Sequence, residues 1–378
     1  MKLNEVLETI HDPRVEGRTR HKLADIIMLT LIGFICGEKD IESIVEWANL
    51  NKENLQKVIP LDNGIPSADT LLRVMGIIDP KKFENLLISV TKKYFEELPK
   101  TVKKEIIAID GKTIKGSRTK TNSVVHIVSA WATKLQLFLA QVKTNEKSNE
   151  ITAIPELLDL LDLKNIIITI DAMDCQKDIA KKIVEKEADY VLSLKGNHSI
   201  LLNNIKDLFE LIKNPIYYKQ YKITKSDITI DKDHGRIEKR QTFLCTQLDW
   251  LEERKDWANL RGIGMTVSTR IIDGVSTTEN RYFITTLTDV HEAAKAMRHH
   301  WQIEISHWIL DVNFREDDTK IRDSIRAQNL SIIRKLALNL FKLFKKNEPD
   351  MSKNKLFHTI GLNCAYNPEY LKKVLSYL

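Results

Sequence analysis

Apolar residues recur at helical spacing through HKLADIIMLTLIGFICG, and Gly37 supplies a stop, so the pattern predicts a buried helix there. A second helical stretch follows in DIESIVEWANLNKENLQKVI. After a turn around NGIPSADT a third begins, with Ser67 or Asp69 at its cap. The charged run ELPKTVKKE closes this helical module, which divides the chain into an N-terminal helical domain, 1–98, and a second domain, 99–378. Beyond it the period changes. IIAIDGKTIKG, VVHIVSAWAT and LQLFLAQVKT are alternating or apolar runs separated by polar turns, which predicts a three-stranded antiparallel meander. NEITAIPELLDLLD then reads as helix, IIITIDAM as a buried strand, CQKDIAKKIVEKEA as helix, DYVLSLKG as strand and HSILLNNIKDLFELI as helix. This order predicts an α/β fold with a mixed sheet flanked by helices.

Alternation returns between residues 217 and 288, where a β-rich insertion is expected with DKDHG and IDG as hairpin turns. Helices resume at HEAAKAMRHHWQIEISHWILDV and SIRAQNLSIIRKLALNLFKLFKK. In the first of these, Trp301, Glu304, Trp308 and Asp311 fall on one side of the helix, and the tryptophans predict that this side faces inward. A carboxylate on an inward face needs a partner: an arginine or lysine in a salt bridge, a retained proton, or a metal ion.

The composition narrows the setting. Cys36, Cys175, Cys245 and Cys364 are scattered, with no Cys-x-x-Cys pair, which argues against a zinc ribbon or a disulfide framework and fits a reducing cytosol. The apolar run IIMLTLIGFI is too short to span a bilayer, and the first ten residues have no signal core, so a soluble cytoplasmic protein without membrane contact is expected. The net charge of +6, from 58 basic and 52 acidic residues, permits nucleic-acid binding without requiring it. The basic residues cluster in GKTIKGSRTK, in HGRIEKR and from Arg322 through KLFKK.

Asp110 and Asp171 each end a buried β-branched run. Either alone reads equally well as the start of a turn, but two on adjacent strands would repel strongly, and a divalent cation is the usual reason to assemble them. With Glu304 they make three carboxylates on three elements, an oxygen-only donor set suited to Mg²⁺ or Mn²⁺. Two such ions support in-line phosphoryl transfer.

The runs IAIDGKTIKGS, HIVSAWA, EKSNEITAIPELLDLLDL, ITIDAMDCQKDIAKKI, ADYVLSLKGN, HGRIEKR, RYFITTL and HWQIEISHWILDVNFRED resemble, over nearly the whole chain, bacterial insertion-sequence transposases of the DDE class. The resemblance is to the ISAs family, which includes the H-repeat-associated proteins. It implies a ribonuclease H-like catalytic domain, a catalytic and metal-binding triad of Asp110, Asp171 and Glu304, and two Mg²⁺ or Mn²⁺ ions. It also implies a DNA transposase that binds double-stranded DNA, both terminal inverted repeats and target, and works as a homodimer or higher assembly on it. Asp311, Glu316, Asp317 and Asp318 compete for the third position. Related cut-and-paste enzymes carry a tyrosine, an arginine and a lysine around the glutamate where this chain has Met297, His300 and Asp311.

Lys112, Lys115, Arg118, Lys195, Arg236 and Arg240 are the candidate phosphate contacts, each with a solvated loop or face as its alternative. His299, His300 and His307 read as polar-face or phosphate-contacting residues rather than zinc ligands, and Trp131, Trp301 and Trp308 as core. The functional alternatives are a decayed DNA-binding relic and another two-metal nuclease on the same scaffold.

Overall fold

The computed structural model describes residues 7, 10–15, 17–97, 104–118, 124–144, 150–211, 214–233 and 235–378. The boundary expected at 98 and 99 lies outside these residues, as does His234 in the expected DKDHG turn. Helix α1 (Leu23–Ile35) is buried along nearly its whole length, and Gly37 follows it at φ +96°, a left-handed conformation that glycine adopts without a Cβ clash. Helix α2 (Ile41–Leu50) begins with a capping box between Asp40 and Ser43. Ser67 caps α3 (Ala68–Met75), its hydroxyl accepting from the Thr70 N–H, and Asp79 with Pro80 opens α4 (Pro80–Glu96).

The predicted meander forms as β1 (Ile106–Ile114), β2 (Val125–Ala132) and β3 (Leu137–Lys143), all antiparallel. Strands β4 (Ile167–Ile170) and β5 (Asp189–Leu194) then add in parallel beside β1. Helices α5 (Glu150–Asp159), α6 (Lys177–Glu185) and α7 (Ser199–Leu211) alternate with them. The order β3-β2-β1-β4-β5 with these helices is the ribonuclease H-like arrangement.

The β-rich segment does not stand apart from this sheet. Its last strand, β10 (Val275–Thr285), pairs antiparallel with β5 through Tyr282–Thr285, and β9 (Gly262–Ile272), β8 (Arg236–Cys245) and β6 (Thr224–Lys225) continue outward. Strand β7 (Thr229–Asp233) also pairs with β8, which makes one ten-stranded sheet among the described residues.

Helices α8 (Val290–Phe314) and α9 (Ser324–Asn347) cover the sheet face opposite α5, α6 and α7. The N-terminal helices share one hydrophobic core with α8, α9, α10 (Phe357–Tyr366) and α11 (Pro368–Leu375), so their apolar faces close on the C-terminal part of the chain. All four cysteines are buried and unpaired. No described helix is long and apolar enough to cross a membrane.

Helix α9 is buried almost all round and carries polar groups that find specific partners. Asn339 accepts from the Phe138 N–H at 2.8 Å and donates to the Phe138 carbonyl at 2.9 Å, fastening α9 to β3, the edge strand. Asn339→Ala strands both buried backbone groups and is expected to cost roughly 2–4 kcal/mol of unfolding free energy. Chemical denaturation checks this; an unchanged midpoint would mean that α9 is not docked there.

Candidate active site

The β1–β4 ladder runs from Ile106↔Ile167 to Ile109↔Ile170, so Asp110 and Asp171 are the next residues on neighbouring parallel strands. Ile107, Ile109, Ile168 and Ile170 point into the core beneath α5, α6 and α7. Strand alternation therefore turns Asp110, Thr169 and Asp171 to the other face, where α8 crosses. Two histidines of α8 meet them. His307 Nδ1 lies 3.4 Å from Asp110 Oδ2, its ring stacked on Phe138, and His300 Nδ1 lies 3.0 Å from Thr169 Oγ1.

This corrects the expected orientation of α8. Its buried row is Ala296, His300, Ile303, His307, Leu310 and Phe314, while Glu304 is exposed and Trp308 is 61% exposed. Trp308 is therefore not a core residue. Trp301 is partly covered, with the Arg281 guanidinium 4.3 Å from its ring centroid, and Trp131 is buried as expected. The histidines were expected on the polar face; two of the three line the inner side because Asp110 and Thr169 give them polar partners there.

Glu304 still reaches the site from the rim of the buried row. Burial, then the charges of Asp110 and Asp171, raise its carboxyl above the usual range, while Arg281 and Lys195 pull the other way. Burial likewise holds His300 below the ordinary histidine value, against the pull of the same two aspartates. Lys195 Nζ sits 3.3 Å from Asp171 Oδ2. Asp171, Ser193, Lys195, Arg281, Trp301 and Glu304 line a cleft of about 320 Å³. Among the described residues no three His, Cys, Asp or Glu side chains are drawn close enough to hold a metal ion as they stand.

The other sequence candidates separate clearly. Lys112, expected to touch phosphate, is instead buried, with its ammonium 2.7 Å from Asp311, 3.2 Å from Glu316 and 3.1 Å from Asp317. Burial opposes its charge, but the three acids outweigh it and hold its pKa above the normal lysine value. Asp311, Glu316 and Asp317 thus share one ammonium, and Asp318 pairs with Arg315 at the surface.

Lys115 is exposed and leans on Asp317, and Arg118 is exposed just after it. Arg240 is mostly covered, bridging Asp231 and Glu238, and Arg236 also pairs with Glu238, 3.5 Å away. Arg270 from β9 and Arg298 from α8 complete this network of arginines around two acids. It neutralises Arg240 internally and leaves Lys195, Lys115, Arg118 and the outer part of Arg236 as the candidates open to a phosphate.

A further set of residues beside Asp110 is not signalled by the sequence pattern. His126 Nε2 is 2.5 Å from Glu150 Oε1, and His126 Nδ1 is 2.8 Å from Thr113 Oγ1. Glu150 is hydrogen-bonded to Asp174; burial, then this contact, push the Asp174 carboxyl up to about 9. A Cβ on Gly111 would lie 2.0 Å from Glu150 Oε1, so only glycine next to Asp110 admits that carboxylate. Gly111 is needed here for the close approach of another side chain, not for a turn.

A family model described as "Transposase DDE domain" matches residues 101–340, and one described as "DDE_Tnp_1-associated" matches residues 4–90. The chain is 39% identical over 380 residues to "Putative transposase YncI" of Escherichia coli O157:H7, covering 98% of this chain and 94% of that one. It is 38% identical over 358 residues to "H repeat-associated putative transposase YhhI" of Escherichia coli strain K12, covering 91% and 92%. Among solved structures, a cryo-EM structure of the piggyBac transposase synaptic complex with hairpin DNA aligns over 98% of this chain and 78% of its own, at 12% identity and a TM-score of 0.40.

Proposed function

The chain belongs to the family of transposases that carry the DDE domain, and on that premise we propose that it cuts and joins DNA phosphodiester bonds at the ends of its own mobile element, with Asp110, Asp171 and Glu304 as the catalytic carboxylates. The observation that carries this reading is the meeting of three acids: two aspartates follow the last paired residues, Ile109 and Ile170, of adjacent parallel strands, and a glutamate from a separate helix is raised by burial and then by the charge of both. Like charges are brought together at a cost in stability, which points to a use for them outside folding.

The donor set fits a hard divalent cation, Mg²⁺ or Mn²⁺, since all three groups are carboxylates and Glu304 makes no ion pair among the described residues. Asp110, Asp171 and Glu304 would hold two such ions. When bound, these polarise phosphate oxygens and lower the pKa of an attacking water or hydroxyl.

The chain's own residues do the rest. Lys195 and Arg281 line the cleft beside the acids and offer positive charge to the DNA backbone, with Lys115, Arg118 and Arg236 as outer contacts. His300 and His307 close the floor beneath Asp110 and Asp171, keeping them from turning into the core. Double-stranded DNA, as inverted repeats and target, is the proposed partner. Holding two ends at once requires at least a dimer on DNA.

The test uses the purified chain, Mn²⁺ and duplexes carrying the sequence that flanks the gene. The expected result is nicking of the duplex and joining of a pre-cleaved 3′ end to a target plasmid. Nicking without any joining would mean a nuclease instead; binding with neither reaction would mean a decayed relic.

A further inference from the structure

The aspartate pair lies just past the last registered residues of the β1–β4 ladder, Ile109↔Ile170. Strand β4 stops at Ile170, and residues 172–174 make a single tight turn. Something other than the ladder must hold Asp171 against Asp110. From the β5 side the turn is clamped by Asn197, whose Nδ2 donates to the Ala172 carbonyl at 2.8 Å, and by His198, whose Nε2 lies 2.6 Å from the Cys175 carbonyl.

From the β1 side the clamp is Glu150, the first residue of α5. Its carboxylate fills the space over Gly111, is fixed by His126 and is hydrogen-bonded to Asp174 in the turn. Thr113, His126, Glu150 and Asp174 thus form a continuous hydrogen-bonded chain from β1 through β2 and α5 to the residues after β4.

We propose that Glu150, anchored by His126, is a positioning residue that fixes the Asp171 turn against the strand carrying Asp110 and so sets the spacing of the two aspartates for a divalent cation. The inference rests on the reading that these aspartates bind metal. Glu150 acts through Asp174 rather than as a ligand. Supporting hydrogen bonds of this kind commonly set metal affinity by about 10- to 100-fold.

The experiment titrates Mn²⁺ into the full chain and follows free Mn²⁺ by electron paramagnetic resonance, alongside the thermal midpoint. Glu150→Ala is expected to weaken Mn²⁺ binding by about 10- to 100-fold, with a midpoint near that of the parent. Glu150→Gln, whose amide accepts from His126 and donates to Asp174, is expected to bind close to the parent. Parental affinity in Glu150→Ala overturns the proposal, and so does a Glu150→Gln as weak as the alanine, since charge rather than position would then be at work. Should the alanine not fold, His126→Asn leaves the carboxylate but removes its anchor; weakened Mn²⁺ binding supports the proposal and unchanged binding overturns it. A parent chain that binds no Mn²⁺ overturns the metal reading itself and this inference with it, which keeps the two failures apart.

Discussion

Alanine at Asp110, Asp171 or Glu304 is expected to lower DNA cleavage and strand joining by roughly 10³-fold or more, while DNA binding stays near the parental level. The effects should not add: once one carboxylate is gone, losing a second costs little more, because the three act as a unit. Stability should move the other way. After burial, the charges of Asp110 and Asp171 push the Glu304 carboxyl up, so removing either relieves repulsion, and the thermal midpoint should hold or rise. Each aspartate has an offsetting contact, Asp110 with His307 and Asp171 with Lys195, and Asp110→Asn and Asp171→Asn are the controls that keep a hydrogen-bonding group there. The measurements are a gel assay of joined product with Mn²⁺, a binding isotherm on the same duplex, and a melting curve. Full joining activity in Glu304→Ala would remove the glutamate from the triad.

Much of this site was legible because β-branched runs are distinctive. IIAI before Asp110 and IIITI before Asp171 mark both strands, although β1 runs on past Asp110 to Ile114 and only β4 ends at its aspartate, and three helices alternating with strands mark the layers. The orientation of α8 was not legible. Its tryptophans look like the inward row by hydropathy, yet His300 and His307 are inside because the opposing strands present Thr169 and Asp110 rather than an apolar surface. Amphipathic patterning assumes an apolar partner and fails where the partner is the functional site.

Nor was the junction of β10 with β5 legible, since alternation marks a strand but not its neighbour. The His126, Glu150 and Asp174 chain joins three elements distant in sequence. No local spacing announces it.

Lys112 is where the sequence and the structure disagree most, and the disagreement can be measured. Two residues after Asp110 in a basic run, it reads as a phosphate contact, but its side chain is 8% exposed and ringed by Asp311, Glu316 and Asp317, with Glu316 fully buried. Asp317 accepts from the ammonium at 3.1 Å, and Asp311 and Glu316 lie 2.7 Å and 3.2 Å from it. Removing the cation leaves buried carboxylates uncompensated, so Lys112→Ala should destabilise the fold by about 3–5 kcal/mol. Lys115→Ala, at a side chain 79% exposed, should cost no more than about 1 kcal/mol. Neutralising both sides in Lys112→Met with Glu316→Gln should recover part of the loss, because the cost lies in the unpaired charge and not in the missing methylenes. Denaturant titration reads all three variants. A phosphate contact predicts the reverse pattern: an unchanged midpoint, weaker DNA binding, and a log K against log salt slope shallower by about one. That pattern in Lys112→Ala would return the residue to the DNA surface and leave Asp311 free to compete with Glu304.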